Sequence, residues 1–234
     1  MCMKKIFLIM PALLVCVAFT ACKKLPLQEG YDYTPSHYDN KLNKSVVDFM
    51  KSRPDLFSGM LAAIDYVDTD PAYKDIKPLY AGTGNTFLLL TNNALTELET
   101  DTTSFFTRNK IANPADPSKP FSGTSWAQYD KKLVADLLRY HILKGRQDYS
   151  TITSKPVWLD TYLTSEANPL AKIYVYMKGD RDGFFYLNNF ALFPHTWYLE
   201  TRPRTPNLQA TNAPVHVMDK YLIPPSKAQF DNNK

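Results

Sequence analysis

The chain of 234 residues carries 27 Lys and Arg against 23 Asp and Glu, a formal net charge of +4, and 44% of its residues are hydrophobic. That length and apolar content suit one globular body with a sizeable core rather than two. The near-neutral mixture of signs leaves no electrostatic footprint for nucleic acid.

The first residues form a secretory signal. Lys4 and Lys5 precede an apolar run, Ile6 to Phe19, and small residues follow up to Cys22. A basic start, a short apolar centre and a small-residue cut site define such signals. The run is shorter than the ~20 residues a membrane span needs. Phe19-Thr20-Ala21-Cys22 resembles a bacterial lipobox, in which the cysteine becomes the lipidated first residue. The alternative is ordinary cleavage beside an unmodified thiol. On the lipobox reading, residues 1–21 are removed and Cys22 carries the anchor. Residues 22–44 then form a tether, 45–225 the domain and 226–234 a tail. Loss of Lys4 and Lys5 lowers the formal net charge from +4 to +2. The mature body beyond Cys22 contains no cysteine, so disulfides, thiolate metal sites and cysteine nucleophiles are excluded.

Along the body, Val46, Val47, Phe49 and Met50, then Phe57, Met60, Leu61 and Ile64, recur at helical spacing. Pro54 divides them into two helices, since proline ends one helix and suits the first turn of the next. Thr86 to Thr91 predicts a buried strand, with Asn92 and Asn93 capping a helix that Ala94, Leu95 and Leu98 begin. Residues 99–128, with Pro114, Pro117, Pro120 and Gly123, predict irregular chain. Lys131 to Leu143 predicts a helix, with Val134, Leu138 and Ile142 on one face and Gly145 as its stop. Val157–Leu159 and Thr161–Leu163 predict short strands. Ile173–Met177 and Phe184–Leu187 predict a hairpin about Gly179–Gly183, and Val215–Leu222 a final strand.

Three of these stretches carry a family resemblance. Thr86-Phe87-Leu88-Leu89-Leu90-Thr91-Asn92-Asn93-Ala94-Leu95 is similar to the first box of fasciclin-like domains, with Leu89-Leu90 in place of Ala-Pro and Leu95 in place of Phe. Leu137-Leu138-Arg139-Tyr140-His141-Ile142 resembles their central Tyr-His box. Asn212-Ala213-Pro214-Val215-His216-Val217-Met218-Asp219 resembles their closing box, with Ala213 in place of glycine. The boxes stand in the family's order, and the resemblance spans roughly Ser45 to Pro224. It implies an α+β fold, a fasciclin-like wedge in which a β-sandwich of short strands has helices packed along one side. It implies structural roles for Thr91, Asn92, Tyr140, His141, Asn212, His216 and Asp219.

Two segments exceed the family core, Thr96 to Gln128 and Phe193 to Pro206. The second holds Trp197, Tyr198, Arg202 and Arg204, residue types common at contact surfaces. These four are the candidate contact set; the alternative is that the aromatics fold back onto the domain. A catalytic reading would join His141 and His216 to Asp219, but no nucleophile accompanies them. HExxH, Walker, GxGxxG and GxSxG motifs are absent. Asp180-Arg181-Asp182-Gly183 offers too few oxygens for calcium and suits a turn. No cofactor or metal is expected. The function expected is a non-enzymatic adhesion or binding lipoprotein of the cell envelope that contacts protein or polysaccharide. Its favoured location is the outer membrane, facing the periplasm or the exterior. An accessory subunit of an outer-membrane glycan uptake assembly is the alternative.

Overall fold

The strand at the centre of the fold, β1 (Asn85–Leu90), is buried at every position. In a computed structural model, which describes residues 39–99, 103–180, 183–192 and 201–233, this strand has neighbours on both edges. β2 (Ile142–Lys144) pairs with it antiparallel, and β7 (Pro214–Met218) pairs with it parallel. A strand covered on both faces reads as a continuous apolar run, and Phe87-Leu88-Leu89-Leu90 is one. β6 (Thr205–Gln209) completes a sheet ordered β2-β1-β7-β6. A second sheet is ordered β3-β4-β5, from Val157–Asp160, Lys172–Met177 and Phe185–Leu187. The chain is thus α+β, with two small sheets and seven helices among the described residues.

The two helices predicted before β1 form as expected. α1 (Val46–Ser52) begins at Ser45, whose hydroxyl accepts from the Asp48 amide, and α2 (Pro54–Asp68) begins on Pro54. α3 (Ile76–Leu79) and α4 (Asn92–Leu95) flank β1 in sequence. Met50, Phe57, Met60 and Ile64 of the first two helices enter one core with the β1 residues, Leu138 and Val217.

Several expectations are corrected. The helix from Lys131, α6 (Lys131–Tyr140), stops at Tyr140 rather than Leu143. Its apolar spacing continues into Ile142 and Leu143, but those residues pair with Phe87 and Thr86 as β2. Gly145, at φ 87°, therefore turns the chain after a strand and does not end the helix. The last strand ends at Met218 rather than Leu222. Thr161 forms a single bridge to Leu143 in place of a strand.

The stretch predicted as irregular holds α5 (Phe105–Arg108) and a 3₁₀ turn at Trp126–Gln128. Phe105, Phe106, Trp126 and Tyr129 from these elements are buried in the core. Gly123 is required by that packing, because an added Cβ would lie 2.6 Å from the Tyr129 ring.

Both domain ends also extend past the expected limits. Lys41 bridges to Gln209, and the Leu42 amide donates to the Gln209 carbonyl at 2.9 Å, so residues assigned to the tether join the sheet edge. The expected tail contains α7 (Lys227–Asn232), opened by a Ser226/Gln229 capping box. The Trp158 indole donates to the Asn233 carbonyl at 3.0 Å and its ring lies 4.7 Å from Phe230. The expected signal, Cys22 and most of the expected tether lie outside the described residues.

Candidate functional site

The residues of the three boxes tie separate elements together by hydrogen bonds. Thr91 is the N-cap of α4. Its amide donates to the Met218 carbonyl at 2.9 Å, and its hydroxyl donates to Asp219 at 2.8 Å. The sequence suggested Asn92 as a cap, yet it is the first helical residue and faces α2. Its Oδ1 accepts from the Gly59 amide at 2.8 Å, and its Nδ2 donates to the Asp55 carbonyl at 3.0 Å. These are a donor and an acceptor one turn apart on α2, so one amide side chain docks the two helices. Position 59 must be small: an added Cβ would lie 3.0 Å from Asn92 Oδ1. Asn212 works similarly, accepting from the Val46 amide at 3.0 Å and donating to the carbonyls of Tyr80 at 3.1 Å and Gly82 at 2.9 Å. Ala213 is tolerated beside it because its backbone lies outside the left-handed region that favours glycine.

His141 and His216 are both 0% exposed. They sit on either side of Leu88, which pairs with His216 and donates its amide to the His141 carbonyl. Their backbones are thus about two inter-strand spacings apart, ~10 Å. Each ring has main-chain partners at both nitrogens. The Leu222 amide donates to His141 Nε2 at 2.9 Å, so Nδ1 carries the proton and donates to the Leu137 carbonyl at 2.8 Å. His216 has the opposite tautomer: Nδ1 accepts from the Asn207 amide at 3.0 Å, and Nε2 donates to the Gln147 carbonyl at 3.1 Å. Burial pushes both imidazoles down to about 4. The carbonyls of Leu137 and Gln147 oppose that shift, as does the Asp148 carboxylate near His216. Asp219 is engaged elsewhere, with Thr91 and, at 3.5 Å, with Arg204. The two histidines and Asp219 therefore do not meet around a common reactant.

Tyr140 is 1% exposed and belongs to a buried network. Its hydroxyl lies 3.0 Å from the Lys172 carbonyl and 3.3 Å from that of Ile223, and it accepts from Asn188 Nδ2 at 2.8 Å.

A surface groove of about 620 Å³ lies beside this frame. Its walls include Phe184, Thr201, Arg202, Arg204, Asp219 and Tyr149. The Arg202 guanidinium lies 4.3 Å from the centroid of the Phe184 ring. Phe184 is 40% exposed and Tyr149 41%. Two members of the candidate contact set, Arg202 and Arg204, therefore come together in one groove. The other two, Trp197 and Tyr198, lie outside the described residues, as does His195. Phe184, Tyr149 and Lys220 complete the groove although their sequence context did not single them out.

Comparison with known families decides the assignment, because the model of the fasciclin domain matches residues 72–224, most of the chain. The chain belongs to the fasciclin domain family. A solved FAS1 domain pair from the insect cell adhesion molecule fasciclin I is similar at 16% identity and a TM-score of 0.44; the alignment covers 74% of this chain and 49% of that one. The chain thus spans about half the length of that structure. No curated protein matches the sequence.

This fasciclin domain depends on two further residues that the boxes do not contain. Asn188, at φ 50°, accepts from the Tyr174 amide at 2.9 Å and donates to both Tyr140 and the Ile223 carbonyl. Asn207, at φ 59°, supplies the amide that fixes His216. Asparagine is among the few residues with a side chain that enter the left-handed region readily. Asn188 directly follows β5, with partners up to 48 residues away in sequence, whereas Asn207 lies inside β6 at its register shift, nine residues before His216.

Proposed function

We propose that this fasciclin domain is a non-enzymatic adhesion or binding module of the cell envelope, anchored through lipid at Cys22. On this reading it contacts a protein or polysaccharide partner with the groove between Phe184 and the Arg202–Arg204 segment. The observation that carries the reading is the contrast between box and groove. Apart from Asp219, which also lines the groove, the polar groups of the boxes are taken up by internal hydrogen bonds, which makes a rigid frame. The groove instead offers exposed rings beside guanidinium groups, the combination that dominates contact energies at interfaces. The membership of the family supports a binding role over catalysis, and the lipobox-like segment ending at Cys22 supports the anchor.

The test is capture of partners from envelope extracts by the wild-type protein and by a Phe184→Ala, Arg202→Gln double variant. The expected result is at least ~10-fold weaker capture, or about 1.4 kcal/mol, with the melting temperature little changed. Unchanged capture would remove the groove from the reading. Equal loss of capture and stability would make Phe184 part of the core. In the same fractionation, Cys22→Ser should move the protein out of the membrane pellet; a cleaved product that stayed there would exclude the lipid anchor.

A further inference from the structure

The groove has a specific chemical character. Among the described residues, three cations, Arg202, Arg204 and Lys220, share its walls with one carboxylate, Asp219; Arg204 lies 3.5 Å from that carboxylate, and Lys220 Nζ donates to the Thr103 hydroxyl at 3.3 Å. The Arg202 guanidinium lies over the Phe184 ring, a cation–π contact. Thr201 also lines the groove. It is 1% exposed, and its hydroxyl has no hydrogen-bond partner among the described residues. A buried hydroxyl left unpaired is disfavoured by about 1–3 kcal/mol, so a ligand hydroxyl reaching it would be stabilising.

A second recess of about 630 Å³ shares Tyr149 with the first. Its lining is mixed: Lys41 and the Arg146–Asp148 pair, at 2.8 Å, stand beside Asn40, Asn207 and Gln209, whose amides bond one another through Asn40 Nδ2 to the Asn207 carbonyl and Gln209 Nε2 to Asn207 Oδ1 and keep further N–H donors. The half-exposed Tyr149 ring therefore stands where the two recesses meet, with cations on both sides and the amides on one. Amides both donate and accept, and so suit sugar hydroxyls. Flat aromatic surface suits the apolar face of a sugar ring. Guanidinium groups suit a carboxylate, which they bind with paired N–H donors.

Resting on the binding role proposed above, we propose that the two recesses take a carboxylate-bearing polysaccharide, a chain of uronate sugars. The carboxylates lie against Arg202, Arg204 and Lys220, and the neutral hydroxyls run past Tyr149 toward Asn40, Asn207 and Gln209. An acidic peptide would satisfy the cations alone. It would leave the half-exposed Tyr149 ring between the recesses and the unpaired Thr201 hydroxyl without matching partners, and this favours a chain of flat, hydroxyl-bearing rings.

Titration of the full-length, detergent-extracted protein with polygalacturonate, dextran and poly-glutamate tests this. Polygalacturonate should bind, weakening as salt rises, while dextran and poly-glutamate bind at least ~10-fold more weakly. Arg202→Gln with Arg204→Gln should lower polygalacturonate affinity about 10-fold or more at unchanged melting temperature. Because Arg204 contacts Asp219, the separate variants Lys220→Gln and Tyr149→Ala give the same readout away from that pair. Poly-glutamate binding as tightly as polygalacturonate would overturn the sugar in favour of an acidic protein. Dextran binding equally would overturn the need for carboxylate. Failure of all three polymers, with partner capture still lost on Phe184→Ala, Arg202→Gln, would overturn the ligand class alone. If capture were also insensitive to that variant, the groove's binding role would fall with it.

Discussion

Acidification from neutrality to about pH 4 is expected to remove a substantial part of the stability of this fasciclin domain. His141 and His216 titrate near 4 in the fold, against an ordinary value of 6.5. The direction follows from proton binding. Between those values the unfolded chain takes up protons that the folded chain refuses, so protons favour unfolding. The histidine contribution is fully present above pH 6.5, declines as pH falls, and is gone once pH drops below about 4. At ~1.4 kcal/mol per pH unit, each imidazole accounts for roughly 3 kcal/mol across that window. Two such terms are comparable with the whole stability of a typical domain, about 5–15 kcal/mol. Asp148, held below the usual carboxylate range despite its burial by Ser150 and Arg146, extends the loss to lower pH. Denaturant titrations at stepped pH measure the slope. A stability independent of pH between 6.5 and 4 would show that the imidazoles are solvated.

Trp126→Ala should be the most damaging substitution in the 99–128 segment. The indole packs 4.8 Å from Phe106 and 5.5 Å from Phe105, and its Nε1 donates to the Gly59 carbonyl at 2.9 Å. Loss of a buried tryptophan costs about 3–5 kcal/mol, and a domain of this size should melt on the order of 10 °C lower. Trp126→Phe keeps most of the packing and loses the bond to Gly59, so it should cost nearer ~1–3 kcal/mol. Thermal melts of the two variants separate the contributions. If the segment were a surface insertion, both would change stability by less than about 0.5 kcal/mol.

That segment also shows where sequence reading stops. Phe105-Phe106 and Trp126–Tyr129 lie about twenty residues apart, and neither has a periodic neighbourhood, so their mutual packing leaves no local trace. The paired helices and the Ile173–Leu187 hairpin leave one because each buries a face with its own period, and β1, buried throughout, leaves one as a continuous apolar run. The end of α6 was misread because Ile142 and Leu143 fit the helical spacing, while their partners Phe87 and Thr86 lie over fifty residues upstream. Ser226 and Gln229 did mark the start of α7 at the right spacing. The candidate site was legible in its arginines, through their type and position. Its rings were not, because Tyr149 and Phe184 reach the groove from separate loops through pairings that the fold alone creates.

The histidine boxes hold the frame through rings whose two nitrogens are both bonded to main chain. Long-range ¹H–¹⁵N correlation of the imidazole rings at neutral pH tests it most directly. Two neutral rings of opposite tautomer are expected, His141 protonated at Nδ1 and His216 at Nε2, both unchanged when a groove ligand is added. An imidazolium at either position, a tautomer in exchange, or a ring signal that shifts on ligand addition would contradict it.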